Sequence, residues 1–323
     1  MQIELFKKTI ASFVATLLTL TLLLATVQFA TAYVPGAVMY APPLTVPVTI
    51  DGNWTSGEWD DAPQYTITNS TGGNIGYIRA KYSSTHLYVL IDSPWDTTNA
   101  IVYNQENVWF AFDTLNDGGT APQSDDYLIH IGASWIQSYS WNGTGTGWQQ
   151  MLVSGVSSVQ AGMMPPPVAP LRTSPNDPVT PHRISEIAIP LTYVGSAGST
   201  VGFYVLVDDD STDPDGTGDQ PATAYSEWPP GAGGSPAWPS GSSSAPCPAP
   251  NAWGKLRLAK LGMPFWDVNG DGKVTITDIV IIALAFGSKP GDPNWNPNAD
   301  LNGDGKVTIT DIVIAALHFG EQY

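Results

Sequence analysis

The sequence predicts a mainly-β chain: an antiparallel β-sandwich followed by a small α-helical module of two loop–helix repeats. Three observations carry this. Short runs rich in Val, Ile, Tyr and Phe recur from Val46 to Leu258, separated by Gly, Pro, Asn and Asp. Charged residues make up only 13% of the chain, whereas Gly numbers 32 and Pro 28, a composition of strands and turns rather than helical bundles. After Met263-Pro264 the composition changes, and the thirteen residues Asn269–Ile281 recur unchanged at Asn302–Ile314.

The 323 residues are enough for two domains and an export segment. Lys7 and Lys8 precede an apolar run from Ile10 to Phe29, and Ala30-Thr31-Ala32 forms a small-x-small cleavage site. This is the pattern of a secretory signal over residues 1–32, with a retained anchor helix as the alternative. Either leaves the rest of the chain in a secreted or cell-surface location. The only cysteine is Cys247, so stability must come from core size or metals. A net charge of −17 argues against nucleic acid as a partner and fits divalent cations.

Residues 33–45 read as a Pro-rich lead-in and 46–260 as the sandwich. Its expected strands are Val46–Ile50, Ile75–Tyr82, His86–Ile91, Asn107–Phe112, Asp126–Ile131, Ile184–Ile189, Val201–Val207 and Trp253–Leu258. In an antiparallel sandwich each sheet buries one face. Met163–Pro181 and Ser211–Ser244 read as inserted loops.

Residues 261–323 form the repeat module. Each repeat spaces oxygen-bearing side chains as a 12-residue calcium loop does. In the first loop Asp267, Asn269 and Asp271 stand at positions 1, 3 and 5, with Gly272 at the sharp turn of position 6. Lys273 offers its backbone carbonyl at position 7, Thr275 stands at position 9, and Asp278 closes the loop at position 12. The second loop repeats this with Asp300, Asn302, Asp304, Gly305, Lys306, Thr308 and Asp311. Hard oxygen donors without His or Cys select Ca2+. Carboxylates crowded this closely repel one another unless a cation lies between them. Position 12 is Asp, one methylene shorter than the usual Glu. Helices are expected from Ile276 to Phe286 and Ile309 to Phe319, each stopped by a glycine, Gly287 and Gly320. The Pro-containing segments Gly262–Trp266 and Asn294–Asn298, which precede the loops, are not helical.

Loop then helix, twice, over Asp267–Gly320 resembles a type I dockerin. The resemblance implies calcium-dependent folding and docking onto a cohesin-like domain of a scaffold or surface protein. It also implies that Ile276-Thr277 and Ile309-Thr310, at loop positions 10 and 11, govern partner choice. In the sandwich, Thr49-Ile50-Asp51-Gly52 with Gly57-Glu58-Trp59-Asp60 resembles the opening of family 9 carbohydrate-binding modules and DOMON-like domains. Leu87–Asp92, Val108–Asp113, Glu186–Pro190 and Trp253–Leu256 follow in the order of that family. This resemblance implies glycan or polysaccharide binding, often with structural calcium, and haem binding in some relatives.

Sugar recognition needs flat apolar faces beside amide and carboxylate groups. Trp135, Trp141 and Trp148 flank the Gly- and Thr-rich segment 142–147 and are the candidates for an exposed platform, against the plainer reading that they pack a hairpin. Trp59 and Trp109 read as core. The acids Asp208–Asp210, Asp213, Asp215 and Asp219, and the group Asp113, Asp117, Asp125 and Asp126, read either as solvated loops or as a further calcium site. His86, His130, His182 and His318 show no metal or triad spacing; a haem reading would want a His/Met or Lys/Met pair, for which Met163 or Met164 could serve. No catalytic residue is assigned. The expectation is an exported, non-catalytic accessory protein that binds glycan and attaches through its dockerin. The alternatives are a glycan-active hydrolase using sandwich carboxylates and a structural surface protein without sugar binding.

Overall fold

The computed structural model describes residues 37–69, 72–98, 106–132, 138–160, 170–209, 224–234, 247–259, 264–269, 271–289, 292, 294, 296–302 and 306–322. The signal segment, Trp135, Met163, Met164, Asp210–Asp219 and Asp304 lie outside the described residues.

Among the described residues thirteen strands form two sheets. The larger contains β1 (Val38–Ala41), β13 (Gly254–Leu258), β11 (Thr200–Asp209), β5 (Glu106–Asp113), β6 (Asp126–Gly132), β7 (Ser138–Gly143) and β8 (Trp148–Met151) in that spatial order, with β12 (Ala224–Trp228) also paired to β11. The smaller runs β2 (Gln64–Ile67), β3 (Gly76–Tyr82), β4 (His86–Ser93), β10 (Arg183–Pro190), β9 (Ser157–Gln160). All pairs are antiparallel except β1 with β13.

Between the sheets lies the main core. Alternate residues of β5 (Val108, Phe110, Phe112) and β11 (Val201, Phe203, Val205, Val207) meet Leu87, Val89 and Ile91 of β4 and Ile187 and Ile189 of β10. The outer faces are also covered, which corrects the one-face expectation. Trp109, Ala111, Leu128, Trp141, Tyr204, Leu206 and Trp253 form a second cluster on the far side of the large sheet. Trp54, Trp59, Ala62, Leu90 and Ile184 form a third outside the small sheet. A strand buried on both sides loses its alternation, and β11 is indeed buried at every residue.

The expected strands from Ile75 onward are present within a few residues of their expected limits. Val46–Ile50 is not a strand. Pro47 interrupts it, and side chains satisfy its backbone instead of a ladder: Lys81 Nζ donates to the Val46 carbonyl at 2.9 Å and Thr49 N–H donates to Glu58 Oε1 at 2.5 Å. The Pro-rich lead-in contains β1, and the Ser211–Ser244 insertion contains β12.

The scattered sandwich motifs converge on buried carboxylates. Glu186 accepts hydrogen bonds from Asp51 N–H (3.0 Å), Gly52 N–H (3.0 Å) and the Trp59 indole (2.9 Å), tying the opening motifs to β10. Asp92 holds Ser174, Asn176 and His182 at 2.8, 2.7 and 2.6 Å. Trp59 and Trp109 are buried, as expected.

Phe110, Phe112 and Phe203 are mutually packed at the centre of this core, with ring centroids 5.4 to 6.3 Å apart. Phe203→Ala is therefore expected to cost about 3–5 kcal/mol in urea unfolding of the sandwich. A loss below about 1 kcal/mol would mean that the sheets do not close on this ring.

Candidate calcium loops and docking helices

The module is built from α1 (Ile276–Leu284) and α2 (Ile309–Leu317). Each begins with a reciprocal cap. Thr275 and Thr308 are the N-caps, and Asp278 and Asp311, at the third helical position, reach back to the cap N–H at 2.8 Å. The same carboxylates hold the start of their loops: Asp278 Oδ1 accepts from Asn269 N–H (3.1 Å), and Asp311 Oδ1 accepts from Leu301 and Asn302 N–H (2.7 and 3.0 Å). One short side chain thus joins loop entry, loop exit and helix. Past each helix Gly287 (φ 81°) and Gly320 (φ 90°) take the left-handed turn that stops it.

The first loop is folded around its acids. Asp267 accepts from Asp271 N–H (3.2 Å) and Gly272 N–H (2.8 Å), and Asp271 from Lys273 N–H (3.0 Å). Gly272 has φ 86°, the conformation that position 6 requires. Asp267, Asp278, Asp300 and Asp311 are all buried. Neither Asp278 nor Asp311 makes an ion pair among the described residues. Buried carboxylates need a cation or a proton. The donor set is all oxygen, from Asp267, Asn269, Asp271, Lys273 carbonyl, Thr275 and Asp278, and fits Ca2+. In the second loop Asp300, Asn302, Lys306, Thr308 and Asp311 take corresponding places in the chain.

The two repeats clasp each other. Gly287 N–H donates to Val307 O (2.8 Å) and Gly320 N–H to Val274 O (2.8 Å), so each helix end is pinned to the opposite loop. Ile282, Ala285, Ala299, Leu301, Val307 and Ala315 fill the space between. The repeat is broken in one correlated place. Trp266 stacks on His318 with centroids 3.6 Å apart, where the equivalent residues are Ala299 and Ala285, both buried.

Outward, α1 presents Ile276, Val280 and Leu284, and α2 presents Ile309, Val313 and Leu317, each spaced by four residues on one face. Phe286 and Phe319 extend the rows. Leu284 is 73% and Leu317 77% exposed. Thr277 and Thr310 are exposed beside them. Position-10 and -11 reasoning found the heads of these rows. Val280, Leu284, Val313 and Leu317 were missed, although their spacing of four was readable.

In the sandwich, the expected tryptophan platform is not formed by Trp141. Its ring packs against Trp109 and Tyr139 at 5.8 and 6.2 Å, in a ring cluster with His130, and is 7% exposed. β7 lies inside the large sheet, and Trp141 points to a face already covered. Trp148, on the edge strand β8, is half-buried.

A separate acid cluster sits where β5 meets β6. Carboxylate oxygens of Asp113, Asp117 and Asp125 lie within 4.8 Å of one another. Asp126, paired across from Asp113, is fully buried, and its Oδ1 has no hydrogen-bond partner. Burial, with the neighbouring carboxylates adding to it, pushes Asp113 up to about 6 and Asp126 up to about 8. Burial likewise raises Glu186 to about 7. All three also accept backbone N–H bonds.

These features can be set beside known proteins. Residues 266–316 match the family model of the dockerin type I domain. No curated protein matches the chain. Among solved structures, a family 9 carbohydrate-binding module from Caldicellulosiruptor kristjanssonii, in complex with glucose, is 16% identical, with a TM-score of 0.44 over 70% of this chain and 96% of that one. The same module in complex with cellotriose gives 16% identity and 0.43 over 70% and 94%. A type II cohesin–X–dockerin complex from Acetivibrio cellulolyticus gives 22% identity and 0.17 over 37% and 76%.

Proposed function

We propose that this chain is an exported, non-catalytic accessory protein. Its calcium-loaded dockerin fastens it to a cohesin-like domain on a scaffold or cell-surface protein, and its sandwich binds glycan. The observation that carries the attachment reading is the pair of matching exposed apolar rows on α1 and α2, all but the last residues of which lie in the segment that matches the dockerin family. Exposed apolar rows of this size on a small module call for a protein partner. The signal-like N-terminus supports export, and no described helix is long and apolar enough to cross a membrane.

Because the rows are near-copies, a monovalent partner is expected to dock in either of two orientations. Two equivalent modes add only about 0.4 kcal/mol. Ile276→Asp with Thr277→Asp should weaken binding about twofold, and so should the same changes at Ile309 and Thr310. The four-residue variant should lose binding altogether, which is non-additive for sites that do not touch. Surface plasmon resonance against immobilised cohesin domains, in calcium, measures this. Abolition by one pair alone would end the two-mode account, and no binding of any cohesin would end the docking function.

Two calcium ions are assigned to the module and a third to Asp113, Asp117 and Asp125. The cluster's spacing and the unpartnered buried Oδ1 of Asp126 support the third. Calorimetric titration of the full chain is expected to give three ions, and Asp125→Asn two. A count of two in the unchanged chain would remove the sandwich site.

The glycan reading rests on the sequence resemblance of the sandwich and on the half-buried Trp148 of its edge strand. Trp148→Ala should abolish binding on a glycan array with little change in melting temperature, whereas Trp141→Ala should lower the melting temperature. Undiminished glycan binding by the Trp148 variant would place the sugar elsewhere.

A further inference from the structure

The sandwich and the calcium module meet at a defined contact. Arg257, near the end of β13, is 5% exposed. Its Nε donates to Thr200 Oγ1 on β11 (3.2 Å), and its second terminal nitrogen donates to the Asp300 carbonyl (3.0 Å). The Thr200 hydroxyl in turn donates a hydrogen bond to Asn298 Oδ1 at 2.9 Å. Beside them Tyr40 of β1 packs on Phe265 with ring centroids 4.8 Å apart. The guanidinium lies 5.8 Å from each of these ring centroids.

The places touched matter. Phe265 is two residues before the first ligand of loop one. Asn298 is two residues before Asp300, the first ligand of loop two. The carbonyl that Arg257 holds belongs to that ligand residue itself. The contacts therefore fall on the entries to the calcium loops and leave both outward helix rows exposed.

We propose that the end of the large sheet formed by Tyr40, Thr200 and Arg257 is a docking platform for the entry of the second calcium loop, Asn298 and Asp300, so that the sandwich strengthens calcium binding there and fixes the direction in which the helices face. This rests on the calcium reading given above. The physical basis is linkage. Asn298 and the Asp300 carbonyl hold their positions against Arg257 and Thr200 when the loop is closed. A contact made only to the closed form adds its free energy to ion binding. A buried hydrogen bond from a charged donor is the kind of contact strong enough to matter. By reciprocity, calcium tightens the seating of the module on the sandwich.

The test uses the full chain with the first loop silenced by Asp271→Ala and the sandwich cluster by Asp125→Asn, so that calorimetry reads the second loop alone. Arg257→Met removes the platform from the sandwich side and Asn298→Ala from the module side, the latter without touching the sandwich. Each is expected to weaken second-loop calcium affinity about tenfold. Spin labels at Ser154 and Lys289, both exposed, are expected to give one narrow distance distribution in calcium. That distribution should broaden with chelator, and with Arg257→Met even in calcium. Unchanged affinity in both variants, or a broad distribution in the unsubstituted chain with calcium, overturns the proposal while leaving the calcium reading intact. A chain that binds no calcium in its module overturns both.

Discussion

Asp278 and Asp311 are the groups on which the C-terminal module depends. Each is fully buried at the third residue of a helix and receives N–H bonds from both ends of its loop. A carboxylate placed there is costly unless a positive charge faces it. The cap and the closed loop are the same structure, so the helices form only where the loops close. The described residues of the module offer little apolar core to do this without help. The clasp between helix ends and opposite loops makes the two repeats one cooperative unit, and the Trp266–His318 stack seals one end of it.

The sandwich solves the opposite problem. It has apolar surface in plenty, covers both faces of both sheets, and uses carboxylates as pins between distant segments. Glu186 and Asp92 are buried and bonded to backbone and side-chain donors, so they hold loops in place. Asp113 and Asp126 differ. They face each other across β5 and β6, with Asp117 and Asp125 close by, and the donors within reach leave Asp126 Oδ1 without a hydrogen bond. The same residue type thus serves as a structural pin in one setting and as a candidate ligand in the other, decided by how many donors surround it.

Legibility in the sequence followed from range. The two helices of the module, with their caps and stop glycines, were readable, because the loop acids, cap and stop glycine all lie within one repeat and the repeat occurs twice. Between Ile75 and Val207, β3, β4, β5, β6, β10 and β11 were readable from β-branched and aromatic runs. β1 was not, since Val38–Ala41 gains meaning only from its parallel partner Lys255–Leu258 at the far end of the sandwich. β12 was hidden in Gly- and Pro-rich surroundings, and β7 and β8 by their Ser, Asn and Gln content. Val46–Ile50 misled for the converse reason: its composition suits a strand, but Lys81 and Glu58 take up its backbone groups. Trp141 has the local sequence of an exposed turn residue, and only the sheet order shows that its face is covered.

The central claim is that ion binding and folding of the module are one event. Far-ultraviolet circular dichroism of the full chain, melted with calcium and with excess chelator, tests it most directly. The account predicts that chelation removes the helical signal and the module's melting transition, that the β signal of the sandwich persists, and that added calcium restores the rest. A helical signal and melting profile unchanged by chelator would contradict it.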